Sequence, residues 1–76
     1  MSDLRTVATV RKNNTEEIRV SVAEREGYIL VDLRVFAASP RGRGEPHATK
    51  AGICVVRDRL PALIEALQAA EREVSQ

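Results

Sequence analysis

The chain has no tryptophan and only one each of tyrosine, phenylalanine, cysteine and histidine among its 76 residues. One cysteine excludes an internal disulfide, and no cluster of cysteine and histidine offers a structural metal set, so none is expected. No run of about 18 apolar residues is present, which argues against a membrane span and a membrane partner. The start, MSDLRTVATV, lacks the basic opening and long apolar stretch of a signal peptide, so the expectation is a cytoplasmic protein. A domain of this size buries only roughly 60% of its unfolded surface. Without disulfides or metal, self-association is the natural remaining source of buried area.

What is present is organised as strands followed by a helix. Leu4 to Val10 is a β-favouring run rich in Thr and Val, ended by Arg11-Lys12-Asn13-Asn14, where paired asparagines favour a turn. Glu17 to Glu24 alternates, with Ile18, Val20 and Val22 on one face and Arg19, Ser21 and Ala23 on the other. Glu26-Gly27 supplies a tight hairpin turn into a third strand, Tyr28 to Ala37. In that strand Ile29, Val31, Leu33 and Val35 point one way, and Leu30, Asp32, Arg34 and Phe36 the other. The aliphatic face is expected to be core. The mixed face suits a surface that touches something.

Pro40, Gly42, Gly44 and Pro46 mark a long loop, and Ala51 to Val56 reads as a fourth strand. Beyond it, Leu60, Leu63, Ile64, Leu67, Ala70 and Val74 fall at helical spacing on one stripe. Asp58 is the expected N-cap, with Pro61 in the first turn, where a missing N–H costs little. Burying Leu60, Leu63, Ile64 and Leu67 fully is worth roughly 6–12 kcal/mol as an upper bound. The reading is a single α+β domain over residues 1–76, four antiparallel strands with a C-terminal helix on one face, and flexible ends at 1–3 and 75–76.

Catalytic machinery is hard to find, and no enzyme activity or cofactor is expected. His47 stands in a Pro/Gly loop with no serine or cysteine nucleophile near it in sequence. Cys54 falls inside an apolar strand, where a small buried hydrophobe is expected rather than a reactive thiolate. Glu16-Glu17 and the pair Glu71 and Glu73 read as solvated faces. Gly42 and Gly44 form a G-x-G in a basic loop, but no helix follows directly, which argues against a phosphate-cradling turn.

Charge distribution is more telling than the formal net charge of +1. Between Arg34 and Lys50 the cations Arg34, Arg41, Arg43 and Lys50 face Glu45 alone, whereas acids outnumber bases from Asp58 onward. A strand face with Arg34, Leu30 and Phe36, extended by that loop, combines cations for phosphates with an apolar surface for bases. The competing reading is that Arg34 neutralises Asp32 or a cross-strand acid such as Glu24.

These residues carry a resemblance. Ser21-Val22, a turn ending at Gly27, and Ile29 to Phe36, then Thr49 to Val55 and Leu60 to Leu67, follow in order the pattern of the C-terminal, single-stranded-DNA-binding domain of the eukaryotic transcriptional coactivator positive cofactor four. The chain resembles the small bacterial relatives of that family more closely. The likeness covers about residues 17 to 70, with a small length difference before Lys50. It implies a ββββα homodimer joined through helix and sheet edge, with curved sheets forming channels for single strands. By position, Arg34 and Lys50 correspond to DNA-contacting residues. Where the coactivator has an aromatic in the turn between the second and third strands this chain has Arg25, and where it has a tryptophan after the third strand this chain has Ala37.

Each lost base–aromatic stack removes about 1–3 kcal/mol of affinity, and Arg25 compensates in part because guanidinium planes also stack on bases. The expectation is therefore a sequence-tolerant single-stranded-DNA-binding protein in transcription regulation, replication or repair, nucleoid-associated if bacterial. Arg34, Lys50, Arg25, Arg41, Arg43, Arg19 and Lys12 are the expected polar DNA contacts, and Phe36 and Tyr28 the apolar ones. Leu60, Leu63, Ile64, Leu67 and Val74 are the expected dimer contacts. If roughly five phosphates are neutralised, affinity falls about 100-fold from 50 to 200 mM salt. The alternatives are a dimeric interaction module for RNA polymerase or another transcription protein, and an RNA-binding protein, since stacking and phosphate contacts read both polymers alike.

Overall fold

Five elements organise the chain in the computed structural model, which describes residues 4–39 and 44–75. They are β1 (Arg5–Arg11), β2 (Glu16–Arg25), β3 (Tyr28–Ala37), β4 (His47–Val56) and, after a 3-10 turn at Arg57–Arg59, α1 (Leu60–Val74). The sheet order is β1-β2-β3-β4, each strand antiparallel to its neighbour. This is the four-strand, one-helix order that the alternation and helical spacing predict. β4 starts earlier than expected, at His47 rather than Ala51.

Local chemistry explains the turns. Between β1 and β2 the Asn13 side-chain oxygen accepts the backbone N–H groups of Thr15 at 3.0 Å and Glu16 at 2.9 Å, a side-chain substitute for a backbone turn. The β2–β3 hairpin has two central residues at positive φ, Glu26 at 52° and Gly27 at 84°. That is the backbone sense whose twist matches the flanking strands, and it leaves the ten-pair β2–β3 register unbroken from Glu16↔Ala37 to Arg25↔Tyr28.

The helix start differs from expectation. Asp58 falls inside the 3-10 turn, and the N-cap position is Arg59, which makes no side-chain capping bond. The tightened turn takes over the chain reversal, so the helix begins one step later with Pro61 at its first positions, where no amide partner is missed.

The larger departure concerns the core. Among the described residues only Ser21, Ala23 and Val31 are buried. The helix packs chiefly against the 3-10 turn and is not laid across its own sheet. Leu60 and Leu63 are half-buried, whereas Ile64, Leu67 and Val74 are 46%, 55% and 81% exposed. The molecule measures 43 × 38 × 18 Å, with a radius of gyration of 14.3 Å. A compact chain of this length would have about 11 Å. The expected 6–12 kcal/mol of helix burial is therefore not realised within one chain.

Candidate nucleic-acid interface

Strand alternation and the register place two different faces on this sheet. Ile18, Val20, Val22, Ile29, Val31, Leu33 and Val35 share the aliphatic face. The opposite, polar face carries Glu17, Arg19, Ser21, Ala23 and Arg25 of β2 against Phe36, Arg34, Asp32, Leu30 and Tyr28 of β3. Cys54 and Gly52 of β4 stand beside Asp32 and Arg34.

A cleft of about 280 Å³ opens on the polar face. Its apolar lining is Leu4, Ala23, Leu30, Phe36, Ala48 and Cys54, and its polar lining is Arg25, Asp32 and Arg34. The structure thus brings together Arg34, Arg25 and Phe36. Tyr28 instead lines a separate hollow of about 220 Å³ with Gly27, Ile29, Val56, Arg57 and Asp58, and is 65% exposed. Lys12 lies in the β1–β2 turn and forms a 2.8 Å ion pair with Glu16. Arg41 and Arg43 lie outside the described residues.

Both readings of Arg34 hold at once. It faces the cleft, and it pairs with Asp32 through Nη2 to Oδ1 at 2.8 Å and Nε to Oδ2 at 3.4 Å. Its Nη1 donates to the Lys50 backbone carbonyl at 3.3 Å. The Asp32 carboxylate, by hydrogen bond first and charge second, raises the guanidinium above its ordinary value, so Arg34 stays charged at any physiological pH. Lys50 itself is exposed and makes no ion pair among the described residues.

Two features went unread in the sequence. Arg19 Nε pairs with Glu17, and its Cζ sits 4.2 Å from the centroid of the Phe36 ring. One ring face is therefore covered by a cation instead of waiting bare for a base. The signal was present, since Glu17-x-Arg19 repeats the acid-x-arginine spacing of Asp32-x-Arg34. Glu17 is half-buried in this pair, not a solvated residue. Gly52 is the second feature: a Cβ there would meet the Leu33 carbonyl oxygen at 2.4 Å and Arg34 Cζ at 3.1 Å.

Cys54 corrects another expectation. It is exposed on the polar face, not a buried hydrophobe, because among the described residues β4 is an edge strand with no neighbour on its outer side. Among the described residues no group of acid, histidine and cysteine side chains is placed to hold a metal ion, and no helix is long and apolar enough to cross a membrane.

No protein-family model and no curated protein matches the chain. Solved structures do. BPSL1147, a PC4 homologue from Burkholderia pseudomallei K96243, is 32% identical in its orthorhombic crystal form, with a TM-score of 0.79 over 91% of this chain and 90% of that one. Its tetragonal form gives 29% identity and a TM-score of 0.78 over 91% and 98%. A bacteriophage T5 homologue of the eukaryotic transcription coactivator PC4, implicated in recombination-dependent DNA replication, shares the fold at 19% identity and a TM-score of 0.70, over 96% of this chain and 82% of that one.

Proposed function

The chain belongs to the PC4 (positive cofactor four) family, and on that premise we propose that it binds single-stranded DNA across the polar face of the sheet as a homodimer. The observation that carries the reading is the cleft between Arg25, Arg34 and Phe36, whose apolar lining offers a surface to bases, with the exposed cation Lys50 nearby on β4 to meet backbone. The protein acts by binding, without chemistry of its own, in transcription, replication or repair at cytoplasmic or nucleoid DNA. Recognition through base faces and phosphates is tolerant of sequence, since every base has a π-face and every nucleotide a phosphate.

Dimerisation is supported by what one chain leaves uncovered. The exposed stripe of Ile64, Leu67 and Val74, the sparse core and the excess radius of gyration all favour a second copy against the helix and aliphatic face.

Fluorescence anisotropy with labelled oligo-dT, against duplex of equal length, tests the first part. The Arg34→Ala, Lys50→Ala double variant is expected to lose at least 10-fold in affinity for the single strand. Retained affinity in that variant, or equal binding of duplex, refutes the assignment. A light-scattering mass of one chain refutes the dimer. A variant that loses DNA but still retains RNA polymerase in a pull-down favours the interaction-module reading instead.

A further inference from the structure

The two arginines at the centre of the polar face bring their own counter-ions, and we infer that they hold unpaired bases by their flat guanidinium faces and do not serve as phosphate-neutralising charges. This rests on the single-strand reading above and specifies its chemistry. Arg19 and Arg34 are register partners on adjacent strands. Each is tied in plane to an acid two residues earlier on its own strand, Glu17 and Asp32.

Each is also seated on one face. The nearest guanidinium atom to the position of a Cβ at Gly52 is the central carbon of Arg34, at 3.1 Å, so it is the middle of the group, not an edge nitrogen, that comes nearest the one β4 residue without a side chain. Arg19 lies over Phe36 at 4.2 Å. Three of the five N–H donors of Arg34 are already committed, two to Asp32 and one to the Lys50 carbonyl. That fork cannot swing to follow a phosphate without breaking the set. Neither group is sealed in, for the side chains of Arg19 and Arg34 remain 26% and 27% exposed.

The balance of forces follows. A phosphate approaching this centre meets two carboxylates as well as two guanidinium groups, so the net attraction is small. A base meets two weakly hydrated planes whose ordering cost has been met by folding, and guanidinium stacks well on π-faces. The pair thus takes the place of the aromatic platforms that the chain lacks. Phosphates fall to Lys50 and other peripheral cations. With two or three of those neutralised, the affinity lost between 50 and 200 mM salt is roughly 7- to 20-fold.

The test compares labelled oligo-dT with an abasic deoxyribose-phosphate chain of the same length, using wild type, Arg34→Lys and Arg19→Lys at both salt concentrations. Lysine keeps the charge and removes the plane. Each variant is expected to bind oligo-dT about 5- to 160-fold more weakly than wild type, the range of one lost stack, with binding of the abasic chain changed less than about twofold. Lysine variants that match wild type on oligo-dT overturn the inference, as does an abasic chain bound as tightly as oligo-dT or a wild-type salt response of about 100-fold. Wild type that binds neither chain refutes the single-strand reading itself, a separate outcome. Where Arg34→Lys melts early by circular dichroism, Arg19→Lys carries the comparison, since no glycine seat depends on it.

Discussion

The two faces of this sheet are finished to different degrees. On the polar face Arg19, Arg34 and their acids are paired, and among the described residues no buried side-chain polar atom lacks a hydrogen-bond partner. On the aliphatic side Val10 and Ile53 are 54% and 48% exposed, and the helix stripe faces outward. Pairing of charges is local, between residues two apart on one strand, so a single chain completes it. Covering a sheet takes a second layer, and the helix of this chain does not supply one. The difference teaches that one chain completes its charged face alone and leaves its apolar face uncovered, which is the asymmetry that the proposed ligand and the proposed second copy would each answer.

The largest break in that contrast is expected at the helix. Leu67→Asp puts a charge where the dimer proposal needs an apolar contact, and is expected to cost at least about 2–5 kcal/mol per protomer, a large share of the stability of a small domain. Thermal melting together with light scattering checks it. A stable, unaltered dimer would mean that the stripe is not the contact.

Gly52→Ala comes next. The added Cβ collides with the Leu33 carbonyl as well as the Arg34 guanidinium, so the strands must part slightly, at about 1–3 kcal/mol. Its melting temperature should fall by several degrees, whereas the same change at Gly27, where a Cβ meets nothing within 4 Å, acts only through its positive φ.

Asp32→Asn sharpens the comparison further. It frees the Arg34 fork while preserving shape, and should steepen the salt dependence of oligo-dT binding with stability changed by about 1 kcal/mol or less, the range of a half-exposed pair. A salt slope unchanged from wild type would argue that Asp32 does not restrain Arg34.

The smallest effect belongs to the β1–β2 turn. Hydrogen bonds from Lys12 and Asn13, with the charge of Lys12, lower Glu16 below its ordinary 4.5. A depressed carboxylate stabilises the fold above that ordinary value and ceases to do so as pH falls through the folded one. NMR titration should find Glu16 protonating at lower pH than an unstructured glutamate, and Asn13→Ala should move it back upward.

Much of this was legible in the chain. Period-two alternation gave β2 and β3, and the apolar stripe gave α1, because each pattern encodes which side meets water. Arg34 and Phe36 were placed on one face by counting alone, whereas Arg25 entered only through the family resemblance. Counting missed that the helix leaves its own sheet uncovered, since a stripe says only that it needs a partner and not whose. It also missed the exposure of Cys54 and the role of Gly52, because both depend on which strand lies at the sheet edge. The Asp58 cap failed for a related reason, as the 3-10 turn between β4 and α1 has no periodic signature of its own.

The irregular rungs of the ladder lie only in its outer strands. The β1 register slips between Thr6 and Ala8, and that of β4 between the partners of Arg34 and Phe36, while the inner β2–β3 pair runs unbroken. Both outlying strands also carry cations, Arg5 and Arg11 on β1 and Lys50 on β4. A kinked, positively charged border is a poor template for stacking molecule upon molecule into fibrils. Deleting Val7 would straighten the β1 border, and such a protein is the one in which thioflavin-positive filaments should first emerge on storage.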